Sequence, residues 1–178
     1  NTMVEALDWQ HHLVSIDTSI LDVETINNVH LVHEFYENNK HVLNETGTAV
    51  FVHNDLHFEN ILVQGDTLTG IIDFDFSRQF APDYELWHIV DFFFKPKYYV
   101  EEELEVDWEN FRLSNEITWI KKYYPELFFH PDLLTRLRLY FIDQMLSDLK
   151  DGATYKFNER IDAYFKGTWL ETQIGNTL

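Results

Sequence analysis

The sequence predicts an α+β fold, predominantly helical and built around one small β-hairpin, on three observations. Stretches with apolar residues at helical spacing lie on both sides of the middle of the chain. Between them, from Thr48 to Phe74, short apolar runs alternate with turn-forming residues. No internal repeat, low-complexity tract or flexible linker interrupts the chain, which reads as one domain over 1–178.

The elements follow in order. From Asp22 to Leu43, Ile26, Val29, Val32, Phe35 and Tyr36 fall on one helical face, and Asp22 is placed to cap the first turn. Thr48 to Val52 is an apolar run that enters a polar loop, His53-Asn54-Asp55-Leu56-His57-Phe58-Glu59-Asn60. Ile61 to Gln64 leaves that loop, Gly65-Asp66-Thr67 turns the chain, and Leu68 to Phe74 returns as the second strand of the hairpin. Tyr84 to Phe94 predicts a short buried helix stopped before Pro96. Asp107 to Tyr124 carries Trp108, Phe111, Ile117, Trp119 and Ile120 and is ended by Pro125. Pro131 suits the first turn of a helix that runs to about Lys150 and stops at Gly152. Phe157 to Trp169 is the last expected helix, frayed by Gly167.

The hairpin brings Asp55, Asn60 and Asp73 near a common point: a base candidate beside two oxygen ligands. Moving a phosphoryl group needs little more. Its transition state is loose, so catalysis is mostly positioning and neutralisation of charge. A hard divalent cation wants oxygen donors, and Asn with Asp supplies one neutral and one anionic oxygen. A carboxylate base needs only to accept a hydrogen bond from the attacking hydroxyl.

His53-x-Asp55-x-x-x-x-Asn60 followed by Ile72-Asp73-Phe74 resembles the catalytic core of the aminoglycoside phosphotransferase and choline kinase family, small-molecule kinases with the protein-kinase fold. The match is specific from Val50 to about Asp91 and weaker on either side. The resemblance implies a protein-kinase-like C-terminal lobe, with Mg2+ as cofactor and ATP or GTP as co-substrate. It implies that Asp55 orients and deprotonates the acceptor hydroxyl, and that Asn60 and Asp73 hold magnesium on the nucleotide phosphates. His53 belongs with Asp55 among the candidate catalytic residues, its implied role being to brace the loop. Asp75 is a candidate further metal contact, or else a loop-capping carboxylate. His57 is expected to be packed or hydrogen-bonded and Glu59 solvated. Glu85 stands where the family has an Asp that anchors the catalytic loop from the next helix, and its extra methylene is a departure from the pattern.

A complete kinase of this type has an N-terminal lobe with a phosphate-covering loop and a strand lysine. Here the first lysine is Lys40, in a helical pattern, and the six glycines never cluster. His11-His12-Leu13-Val14-Ser15-Ile16-Asp17 is a loose echo of the string just past the hinge between lobes. The expectation is therefore a C-terminal lobe with the N-terminal lobe absent, inactive by itself.

Composition narrows the partners. At 45% hydrophobic and 25% charged, the chain has enough apolar material for one core. No run approaches a membrane helix, no signal-peptide pattern opens the chain, and zero cysteines exclude disulfides and thiolate metal sites, so a cytoplasmic location is expected. Thirteen basic against 31 acidic residues, a net of −18, opposes nucleic acid and anionic membranes and favours a cationic small-molecule acceptor. Acidity concentrates at Glu101 to Asp107, which reads either as a solvated loop or as a pocket wall for an amine. Trp87, Trp119, Tyr123 and Trp169 are cage candidates for a quaternary ammonium, against a reading as plain core.

Two other classes stay open at this point. His53, Asp55, His57, Asp73 and Asp75 could bind zinc or manganese in a metal-dependent hydrolase. A catalytically inactive lobe could instead bind a cationic ligand or partner without transferring phosphate. The acceptor, aminoglycoside-like or choline/ethanolamine-like, is left undecided by the residues.

Overall fold

The computed structural model describes Ile16 and residues 18–44, 49–99 and 116–175. These fall into two compact units: one formed by residues 1–46 with 131–178, the other by residues 47–130. The acidic run Glu101 to Asp107, the first part of the helix expected from Asp107, and all of the His11 to Asp17 string but Ile16 lie outside the described residues. No helix among the described residues is long and apolar enough to cross a membrane.

The first unit is helical. Helix α1 (Val23–Asn39) starts where expected: Asp22 accepts a hydrogen bond from the Thr25 backbone N–H at 2.7 Å. The helix is shorter than predicted and passes into a 3-10 turn over Lys40–Asn44. Its buried stripe is Thr25, Asn28, Val32 and Tyr36, rotated from the expected apolar face. The reason is a polar clasp: Asn28 Nδ2 donates to Asn158 Oδ1 at 2.8 Å, and Asn158 Nδ2 donates to Thr25 Oγ1 at 3.0 Å. Buried polar groups that satisfy each other in this way cost little and fix register. The clasp partner Asn158 lies in the helix over Thr154–Ile161.

Helix α4 (Leu133–Lys150) begins two residues after Pro131, which precedes the cap residue Asp132 instead of opening the first turn. It supplies Leu137, Tyr140, Phe141, Met145 and Leu146 to the core. Arg136, fully buried, donates to the Val42 carbonyl at 2.9 Å and lies over the Tyr140 ring. Gly152, at φ 80°, ends the helix as expected. The helix predicted over Phe157 to Trp169 is three pieces: α5 (Thr154–Ile161), a π-helical turn over Asp162–Lys166, and α6 (Trp169–Gly175). Gly167 makes the break. A Cβ there would stand 2.6 Å from the Asp162 carbonyl oxygen, too close for any other residue.

In the second unit, strand β1 (Val50–Val52) pairs antiparallel with β4 (Arg78–Phe80), Val52 opposite Arg78. Strands β2 (Ile61–Gln64) and β3 (Thr67–Ile71) form the predicted hairpin, whose second strand starts at Thr67 and stops at Ile71 instead of running to Phe74, with Gly65 at φ 61° in its turn and a bulge beside Leu62 and Val63. The expected single hairpin is thus one of two small sheets. Helix α2 (Tyr84–Phe94) has its predicted bounds and buries Tyr84, Leu86, Trp87, His88, Val90 and Asp91. At the end of this helix, which the sequence predicts as buried, Phe92, Phe93 and Phe94 are only half-buried. Helix α3 is described over Glu116–Tyr123.

Candidate active site

The pairing of the strands dictates the site. Because β1 pairs with β4 and β2 with β3, the connection 53–60 leaves the first sheet for the second and the connection 72–77 makes the return journey. The two loops must therefore run side by side. Three cross-ties hold them. His53 Nε2 lies 2.8 Å from the Ile72 carbonyl, the Ile72 N–H donates to the Asn60 carbonyl at 3.0 Å, and Asn54 Nδ2 donates to the Phe76 carbonyl at 3.4 Å. The second tie continues the hairpin ladder by one step beyond Ile61 opposite Ile71, so Asn60 sits opposite Ile72 and Asp73 is the next residue on.

Asn60 is buried, and its amide nitrogen donates to the Asp55 backbone carbonyl at 2.8 Å. The same nitrogen lies 3.5 Å from Asp55 Oδ2 and 3.2 Å from His57 Nε2. Spending the nitrogen on these contacts leaves the amide oxygen as the atom suited to a cation. Asp73 is exposed and sits at φ 60°, in the left-handed region that non-glycine residues adopt at a cost of about 1–3 kcal/mol. Asn54 shares that conformation at φ 64°. Each loop thus carries one strained residue, the pattern of a site that holds its chain against local preference. Asp75 is exposed in the turn that follows Asp73.

His53 is buried with its ring 4.7 Å from that of Phe74. A carbonyl only accepts, so Nε2 carries the proton in its contact with Ile72, and the ring ties the loop to the segment that follows β3. From α2, Glu85 Oε2 accepts the backbone N–H groups of His53 at 2.8 Å and Asn54 at 3.2 Å. The longer glutamate therefore does anchor the loop.

Asp55 is partly exposed and stands between two histidines, His57 Nε2 at 3.7 Å from Oδ2 and His88 Nε2 at 3.9 Å from Oδ1. His57 also faces Glu59, itself largely solvent-exposed, at 3.8 Å. Burial pushes the His88 imidazole below its ordinary value, against the opposing pull of Asp55 and Asp91. Sequence reasoning missed His88, because nothing in Trp87-His88-Ile89 distinguishes a histidine facing the loop from one filling the core. Its distance of three positions from Glu85, the loop anchor, is the signal that could have found it, since such residues share a helix face.

The cage candidates separate. Trp87 is buried against Tyr84 and His88, Trp169 is half-buried beside Tyr164, and Trp119 and Tyr123 are exposed one turn apart on α3. Among the described residues no three His, Cys, Asp or Glu side chains converge as metal ligands, so the hydrolase reading lacks its centre. Asn60 and Asp73 are a different case: an amide oxygen opposite Ile72 and the carboxylate of the next residue are the oxygen donors that a hard cation takes.

Residues 22–132, more than half of the chain, match the model of the phosphotransferase enzyme family (APH). No curated protein and no solved structure matches.

Proposed function

Because the chain belongs to the phosphotransferase enzyme family, we propose that it acts as the C-terminal catalytic lobe of a small-molecule kinase, passing the γ-phosphoryl group of ATP or GTP to a hydroxyl of a cationic acceptor. The kinase-like fold is what the family implies. The observation that carries the reading is the tying of the Asp55 loop to the Asp73 segment through His53, Asn60 and Ile72.

In this mechanism Asp55 accepts a hydrogen bond from the acceptor hydroxyl and takes its proton as the oxygen attacks phosphorus. Asn60 keeps the Asp55 backbone in place through the 2.8 Å bond to its carbonyl. Asn60 and Asp73 would hold magnesium, with Asp75 nearby in sequence. When bound there, magnesium supplies neutralisation of charge on the phosphate oxygens. His53 ties the two loops together and Glu85 fixes the first of them to α2, so that base and metal ligands stay at working separation. The net charge of −18 supports a cationic acceptor by steering.

The test is phosphoryl transfer by the complete protein, of which this chain is the proposed C-terminal lobe, from magnesium-ATP and magnesium-GTP to an aminoglycoside, choline and ethanolamine. Asp55→Asn should abolish transfer and spare nucleotide binding, whereas Asp73→Asn should weaken binding of the magnesium nucleotide itself. Near-full turnover in Asp55→Asn overturns the assignment. Acceptor binding without transfer by the unaltered protein, in every pairing, leaves the binding-module reading in its place.

A further inference from the structure

Helix α2 brings one more polar group to the loop. His88 is 8% exposed, and neither ring nitrogen has a hydrogen-bond partner. Its ring is clamped between Trp87 and Tyr99, each with its centroid 5.2 Å away, so it has little freedom to turn elsewhere. The carboxylate in front of it is that of Asp55, with Oδ1 3.9 Å from Nε2.

We propose that His88 is a positioning residue for Asp55, its Nε2–H closing onto Oδ1 when the site engages substrate and so fixing the plane of the carboxylate. This deepens the kinase reading and rests on it.

A buried imidazole with both nitrogens unpaired is costly, and closing by roughly 1 Å onto Oδ1 relieves one of them. Hydrogen bonds of this kind are often long in an empty site and shorten when substrate arrives. The opposite oxygen, Oδ2, is already faced by His57 Nε2 at 3.7 Å and Asn60 Nδ2 at 3.5 Å. A grip on Oδ1 would therefore define the carboxylate from both sides. Each oxygen has two lone pairs, so room for the acceptor hydroxyl remains.

The chemistry of the grip matters as much as its geometry. The titratable groups around the ring are Asp55, His53 and His57 on the loop, Asp91 one turn along α2, and Tyr99, whose hydroxyl donates to Asp91 Oδ2. Burial outweighs the two carboxylates and keeps the imidazole neutral at physiological pH. A neutral N–H orients Asp55 without placing a full positive charge beside it. A lysine or arginine there would favour the ionised carboxylate and weaken it as a base.

The test has two arms. In the 15N-labelled chain, long-range correlations of the His88 ring should show the Nε2–H tautomer. In Asp55→Ala that preference should relax and the His88 titration midpoint should move lower. An unchanged tautomer and midpoint in Asp55→Ala overturn the proposal. In the second arm, magnesium-ATP hydrolysis by the complete protein, of which this chain is the proposed C-terminal lobe, should lose about 10- to 100-fold in kcat in His88→Phe, with KM within about twofold. His88→Gln, which keeps an N–H donor, should recover part of that loss. His88→Gln no better than His88→Phe also overturns the proposal. Absence of hydrolysis by the unaltered complete protein would count against the kinase reading, while the first arm still decides the Asp55–His88 contact.

Discussion

Glu85 offers a perturbation whose size can be worked out in advance. One carboxylate oxygen receives two backbone N–H groups, from His53 at 2.8 Å and from Asn54 at 3.2 Å. Hydrogen bonds to a charged acceptor are worth about 1.5–3 kcal/mol each, and truncation leaves both donors without a partner. The Asn54 bond is near the long end of the range and residues 54–57 are half-exposed, so water recovers part of the loss. Glu85→Ala should therefore cost about 2–4 kcal/mol. At roughly 2–4 °C per kcal/mol for a chain of this length, that lowers the melting transition of the protein by about 5–15 °C. Glu85→Gln keeps an acceptor oxygen and loses only the charge, so about 1 kcal/mol is expected. The direct assay is amide hydrogen exchange at His53 and Asn54. Both amides should lose protection in Glu85→Ala, and exchange at the wild-type rate in that variant would refute the anchoring argument.

Two further predictions rest on the same unit. Asp73→Gly relieves a left-handed backbone and should raise the melting midpoint by the equivalent of about 1 kcal/mol while eliminating magnesium-nucleotide binding; a lower midpoint would show that Asp73 is not strained. His88, whose folded-state value is lowered from 6.5, stays neutral while the unfolded chain takes up a proton. Stability should therefore fall as pH drops through about 6.5 and level off only below the lowered folded value. His88→Gln should flatten that slope in urea titrations at pH 7, 6 and 5, and an unchanged slope would assign it to another group.

The sequence was most legible where structure is local. Asp55, Asn60 and Asp73 lie within 18 positions, and the turn at Gly65 makes their approach a matter of hairpin geometry. The bounds of α2 were legible because an apolar run meets Pro96. Strand β4 was not, since Arg78-Gln79-Phe80 has no alternation to detect and becomes a strand only by pairing with β1. The face of α1 was misread because Thr25 and Asn28 are buried through a partner 130 or more positions away. A polar clasp of that range leaves no mark on hydrophobic periodicity. His88 was missed for a related reason: a lone histidine among apolar neighbours gains meaning only from what faces it.

The nesting of the β2–β3 hairpin inside the β1–β4 pair also bears on how quickly the site can be made. Val52 and Arg78 are 26 positions apart, but once the inner hairpin has closed, Asn60 and Ile72 are already joined and only the two flanking loops remain to be ordered. That roughly halves the effective loop and lowers its closure entropy by about 0.6 kcal/mol. On this loop-length argument, the 53–60 and 72–77 loops are expected to close last, after the hairpin turn. A residue that slows the turn at Gly65 should delay the arrival of Asp55 beside Asp73 during refolding, although it touches neither.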